Sequence, residues 1–180
     1  MGDEELPELV LPLGERDHCL GSPDARYSLV EYGDYECPHC GHLQPIAQEL
    51  VRELGSELCF AFRHFPQPKI HPRSVPAAEA AEAADEQGKF WLMHERLFAS
   101  QGALSDADLR RIARGLPVDM ATFERDLGSG APARRVAEDV ESGTADGVAE
   151  TPTLFVNGRM HAGSYEFLPL LEALRRTGDR

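Results

Sequence analysis

Basic residues are scarce in this chain: 18 Lys and Arg stand against 31 Asp and Glu, a formal net charge of −13 over 180 residues. Nucleic acids and anionic membrane surfaces are bound by clustered Lys and Arg, so neither is an expected partner. Long apolar runs are missing too. No stretch approaches the roughly 20 apolar residues that cross a bilayer, and no membrane insertion is expected. The opening segment, Met1 to Asp17, has acids where a secretory leader needs a basic start, and Pro7 and Pro12 interrupt its apolar residues. The sequence therefore reads as cytoplasmic, or as exported with its leader absent. There is no internal repeat and no low-complexity tract.

Cysteine is also rare. Cys19, Cys37, Cys40 and Cys59 are too few and too unevenly spaced to form a disulfide scaffold in a chain of this length. Cys59, in the apolar run LCFAF, reads as a small buried hydrophobe, and Cys19, in DHCLG, takes the same default. Cys37 and Cys40 are different, because a lone close pair in a reducing compartment points to redox chemistry or metal binding.

The local pattern around that pair is informative. Tyr27 to Tyr32 alternates and branches like a strand, and Leu43, Ile46, Leu50, Val51 and Leu54 recur at helical spacing. The Cys37-Pro38-His39-Cys40 tetrapeptide thus sits where a strand hands over to a helix, with Pro38 at the first helical position. The first turn of a helix has unpaired N–H groups and the positive end of the helix dipole, which favour a thiolate at Cys37. Cys40 falls one turn later on the same side, close enough for the pair to close a disulfide or open to a dithiol. The expected asymmetry is an exposed, acidified nucleophile at Cys37 and a sheltered resolving thiol at Cys40.

Further along, Pro45 interrupts the helix and Gly55 stops it near Leu54, before a second buried strand at Leu58 to Arg63. Strand, helix, strand at this spacing predicts a right-handed parallel crossover. His18 to Gly21 is a candidate edge strand, preceded by an extended, partly mobile lead-in over residues 1–17. From Ser74 to about Gly147 the pattern is helical. It includes an Ala-rich helix over Ala77 to Gln87, a helix opened by Ser105 with Asp108, one capped by Asp119, and one begun by Pro132 that runs to about Ser142. The tail returns to β structure: Thr153 to Val156, an Asn157-Gly158 type I′ turn, Arg159 to Ala162, and a closing helix over Ser164 to Arg176.

Taken together, these features resemble the thioredoxin superfamily. The carriers are the Cys-X-X-Cys at a strand-to-helix junction, the helical insertion, Thr151-Pro152-Thr153 and the Asn-Gly hairpin. Pro38-His39 between the cysteines, with the insertion between Pro66 and Thr151, is similar to the DsbA-type branch. The resemblance implies an α/β, thioredoxin-like fold: a central mixed β-sheet flanked by helices, with an inserted all-helical subdomain. Residues 18–72 and 148–180 would form the thioredoxin-like domain and 73–147 the insertion.

It also implies roles. Pro152 would be the cis-proline beside the dithiol, with Thr151 offering backbone groups to an extended substrate. Glu31, six residues before Cys37, would be the buried acid that handles the Cys40 proton, and Pro45 the helix-kinking proline. His39 would favour the Cys37 thiolate and make the disulfide more oxidising. His42, His64, His71, His94 and His161 have no partner at motif spacing. The expected activity is protein dithiol–disulfide exchange with cysteine-bearing proteins or peptides, and a separate redox partner for recycling. No cofactor beyond the Cys37–Cys40 disulfide and no metal is expected. Two other readings are a peptide-binding module with an idle dithiol and a zinc site at Cys37, Cys40 and His42 or His39.

Overall fold

The computed structural model describes residues 6–177. Two compact units emerge: a sheet unit from the described residues within Met1–Tyr32, His42–Arg63 and Ser142–Arg180, and a helical unit from Gly33–Gly41 and His64–Glu141. Among the described residues no helix is long and apolar enough to cross a membrane.

Five strands form one mixed sheet: β1 (His18–Leu20), β2 (Tyr27–Gly33), β3 (Leu58–His64), β4 (Thr153–Val156) and β5 (Arg159–Met160), in the order β1-β3-β2-β4-β5. Helix α1 (Pro38–Leu54) joins the neighbouring strands β2 and β3, as a crossover requires. Within the sheet unit its residues Leu43, Ala47, Leu50 and Leu54 are buried, three or four apart, so one face of the helix enters the core. Leu29 and Val30 of β2, Phe60 and Phe62 of β3 and Phe155 of β4 fill the same core. Helix α7 (Phe167–Thr177) closes it with Leu170, Leu171 and Leu174.

Turn chemistry sets the strand ends. Gly21 has φ +97°, and a Cβ there would lie 2.1 Å from the Leu58 carbonyl oxygen, so only glycine ends β1 at this point. Asn157 and Gly158 both have positive φ, 49° and 83°, as a type I′ turn demands. Asn157 also ties the hairpin down. Its Oδ1 accepts from Ser28 N–H at 2.8 Å and its Nδ2 donates to the Leu174 carbonyl at 2.9 Å.

The helical unit centres on α2 (Ser74–Asp85), whose buried Ala77, Ala80, Ala81 and Ala84 let neighbours approach closely. Against it pack α3 (Phe90–Ala99), α4 (Asp106–Arg114) and α5 (Met120–Leu127). Ser105 and Asp108 form a capping box at α4, and the Asp119 side chain caps α5 through Thr122 N–H. Bonds to Arg111 and Ser105 hold the Asp108 carboxyl down at about 2. Helix α6 spans Ala131–Ala145, longer than its sequence suggested.

Three segments differ from expectation. The lead-in is not a loose arm over its described residues: Leu9 N–H donates to Gly158 O, Met160 N–H to Pro7 O, and Glu8 bridges Arg159, so it covers the β5 edge. Strand β5 stops at Met160 and α7 begins at Phe167, because His161 Nε2 meets Ser164 O and Ser164 Oγ accepts from Glu166 N–H, making a turn of the intervening residues. Helix α2 starts at Ser74 rather than Ala77, with Ser74 Oγ donating to His71 O across its first turn.

Candidate active site

Cys37 immediately precedes α1 and Pro38 opens it. The Cys37 carbonyl accepts from Gly41 N–H at 3.1 Å, the first hydrogen bond of the helix. Cys40 lies within the first turn. Pro38 and His39 are exposed, whereas the two cysteines are 3% and 0% exposed. The expected exposed nucleophile is thus corrected: Cys37 is the less buried of two sheltered cysteines. Its neighbours in the helical unit explain this, because Gln101 lies across the turn. The Gln101 amide donates to the Tyr35 carbonyl at 2.9 Å and to the Cys37 carbonyl at 2.8 Å. Gly41 makes room for it, since a Cβ there would fall 2.2 Å from Gln101 Oε1.

The four residues before the helix are held as firmly. Asp34, 1% exposed, accepts Glu36 N–H at Oδ1 (2.8 Å) and Gln67 N–H at Oδ2 (3.0 Å), with His71 Nδ1 2.8 Å from the same Oδ2. The Asp34 carbonyl receives Cys37 N–H, and Glu36 Oε2 receives Arg73 N–H. Tyr35 is buried with its hydroxyl 3.0 Å from His94 Nδ1 and its ring centroid 4.9 Å from that of Phe98. Hydrogen bonds to a charged group each contribute about 1.5–3 kcal/mol, so Asp34 is the main fastener of the turn that delivers Cys37.

The sheet unit holds the remaining expected site residues. Glu31, the acid expected to be buried, is fully buried on β2 opposite Leu154 of β4. The Thr151–Pro152 peptide is cis and leads directly into β4, where Thr153 pairs with Tyr32. Helix α1 runs on through Pro45. His42 is exposed, with Nε2 2.9 Å from Glu166 Oε1. His64 and His94 are buried, in contact with Glu82 and Tyr35.

Sequence reading missed Asp34, Gln101 and the His71 contact. Asp34 carried a usable signal, since an Asp in a turn commonly bonds the backbone N–H two residues on. Gln101 carried none, because its partners lie more than sixty residues away.

A buried dithiol at the start of a helix is chemistry suited to disulfide exchange. A family profile described as Thioredoxin matches residues 14–175. Two curated relatives are Na(+)/H(+) antiporters NhaA 1. That of Salinispora arenicola is 43% identical over 95% of this chain and 26% of its own length, and that of Mycolicibacterium gilvum 42% identical over 89% and 26%. The chain therefore spans about a quarter of the curated relatives it matches.

Among solved structures, a thioredoxin-like oxidoreductase from Silicibacter pomeroyi superposes with a TM-score of 0.82 and 27% identity, over 93% of this chain and 95% of that one. Oxidised BdbD from Bacillus subtilis gives 0.81 at 21% identity, over 99% and 100%. The thiol-disulfide exchange protein alpha-DsbA2 from Wolbachia pipientis gives 0.78 at 20%, over 88% and 85%. With the sheet order, the inserted helices and the profile match in place, the chain belongs to the thioredoxin family and has the DsbA-like fold.

Proposed function

We propose that this chain is a protein dithiol–disulfide oxidoreductase that works through Cys37 and Cys40. The observation that carries the reading is the position of Cys37 at the entrance of a 17-residue helix, with Cys40 in its first turn. The positive end of the helix dipole there favours the thiolate, the form that attacks disulfides. In the reductive direction the Cys37 thiolate attacks one sulfur of a substrate disulfide, forms a mixed disulfide and releases the other substrate sulfur as thiolate. Cys40, once deprotonated, attacks the Cys37 sulfur, closes the Cys37–Cys40 disulfide and frees the second substrate thiolate. Run backwards, the same steps donate a disulfide to a dithiol. Pro38 opens the helix and exposed His39 beside it favours the Cys37 thiolate.

Glu31 takes and returns the Cys40 proton, a role suited to a buried carboxyl. Thr151 and Pro152 bind the backbone of the substrate, a cysteine-bearing protein or peptide in extended form. A separate redox partner resets the dithiol. The test is to follow thiolate absorbance against pH in the reduced protein and to assay both disulfide reduction and dithiol-peptide oxidation. Cys37 should titrate below an ordinary thiol, and Cys37→Ser should abolish both activities. An ordinary titration together with activity retained in Cys37→Ser would sink the reading.

A further inference from the structure

Cys19 on β1 and Cys59 on β3 lie in the sheet unit and take no part in the chemistry proposed for Cys37 and Cys40. The two strands pair antiparallel, with His18 opposite Phe62, Cys19 opposite Ala61 and Leu20 opposite Phe60. Directly opposed residues share a face, and side chains alternate along a strand. Cys59, two residues from Ala61, therefore shares the face of Cys19 on the diagonal. Gly21 brings the strands together at this end: a Cβ there would fall 3.3 Å from Cys59 Cα.

The two thiols act on each other. Their mutual hydrogen bond is the largest influence raising the pKa of Cys19, followed by burial, with the Asp17 carboxylate adding and Arg63 opposing. The same bond is the largest influence on Cys59 and lowers it, against burial and Asp17. The bond therefore leaves the proton with Cys19 and favours ionisation at Cys59. Cys59 is fully buried and Cys19 half-buried, so Cys19 is the sulfur that a small disulfide reaches.

We infer that Cys19 and Cys59 form a second redox-active dithiol, which closes to a disulfide joining β1 to β3 when the chain meets a low-molecular-weight disulfide such as oxidised glutathione. Cys19, the accessible sulfur, gives up its proton as it attacks one glutathione sulfur, breaking that S–S bond and releasing one glutathione thiolate. Deprotonated Cys59 then attacks the Cys19 sulfur and releases the second. Two protein thiols are oxidised to one disulfide, and one glutathione disulfide is reduced to two thiols, which take up the two protons lost by the cysteines.

Diagonal partners on an antiparallel pair lie about 7–8 Å apart at Cα, against about 4.4–6.8 Å in most disulfides. Closure therefore draws the end of β1 inward by roughly an ångström, a local shift for a three-residue edge strand. A bond formed this way belongs with the readily reduced, responsive disulfides rather than the permanent ones.

The test equilibrates the Cys37→Ser/Cys40→Ser protein with graded ratios of reduced to oxidised glutathione, followed by acid quench, alkylation and peptide mass mapping. Wild-type protein is mapped in parallel, so the outcome does not depend on how the double variant folds. The expected result is joint loss of both thiols and a peptide pair linked through Cys19 and Cys59, with Cys59 alkylatable again when Cys19→Ser is added. Both thiols alkylatable at the most oxidising ratio, or glutathione retained on Cys19 without closure, would overturn the inference. Neither result bears on Cys37, whose exchange activity is read separately.

Discussion

Replacing Arg63 by Met should destabilise this protein more than almost any other single change in the sheet unit. Arg63 is fully buried on β3. Its Nε donates to Asp17 Oδ1 at 2.8 Å and its Nη1 to the Tyr32 hydroxyl at 2.9 Å. Its Nη2 donates to Leu11 O at 2.9 Å and to Asp17 Oδ2 at 3.2 Å. Burial works against the guanidinium charge, but the bonds to Asp17 and Tyr32 outweigh it and hold Arg63 above its ordinary value.

Met fills similar space and leaves the Asp17 carboxylate, also buried, without its partner. Breaking a buried pair from one side costs about 3–5 kcal/mol. At about 2–4 °C per kcal/mol for a chain of this size, a loss near 4 kcal/mol lowers Tm by about 8–16 °C. Urea unfolding followed by circular dichroism, with calorimetry for Tm, measures both. Arg63→Met with Asp17→Asn should cost less than the two single changes added, because the stranded charge is removed. A Tm within about 2 °C of wild type, or strict additivity in the double variant, would refute the reasoning.

Two further outcomes follow from the same structure. Burial, opposed in part by bonds from Ser142 and Arg63, pushes the Tyr32 hydroxyl up from 10.0 to about 12. A raised value in the fold means stability that is complete below pH 10 and is lost as pH climbs through about 12. The loss, roughly 2–3 kcal/mol, should appear in unfolding free energy against pH and flatten in Tyr32→Phe; an unchanged alkaline limb in that variant argues against the shift. At the active-site helix, Gly41→Ala gains about 1 kcal/mol of helix propensity but expels Gln101, forfeiting two hydrogen bonds of about 0.5–1.5 kcal/mol each. It should therefore be neutral to destabilising in wild type and stabilising in a Gln101→Ala background; the same sign in both backgrounds refutes the clamp.

Local chemistry made much of the fold legible. The Cys37-Pro38 helix entrance, the Gly55 stop, the Ser105–Asp108 capping box and the Asn157-Gly158 turn all depend on residues adjacent or within one turn, where backbone preferences act directly, whereas the cis Thr151–Pro152 peptide was legible only through the family resemblance. What stayed hidden depends on partners brought together only by tertiary structure. Arg63 and Asp17 are 46 residues apart, and Tyr32 reaches Asp146 across 114. Nothing in LCFAFRH announces a charge folded into the centre of a sheet. The burial of Cys37 was misjudged for the same reason, since Gln101 arrives from a turn 64 residues downstream. The lead-in looked loose because its prolines preclude regular structure, yet its carbonyls are what Arg63 and β5 bind.

The central claim, that Cys37 attacks disulfides and Cys40 resolves the product, is tested most directly by trapping the intermediate. Reduced Cys40→Ala protein is mixed with a disulfide-bonded peptide, quenched with acid and mapped by mass spectrometry. The account predicts a stable mixed disulfide between the peptide and Cys37, absent in Cys37→Ser/Cys40→Ala and short-lived in wild type. Peptide attached instead to Cys19 or Cys59, or no adduct at all while wild type reduces the same peptide, would contradict it.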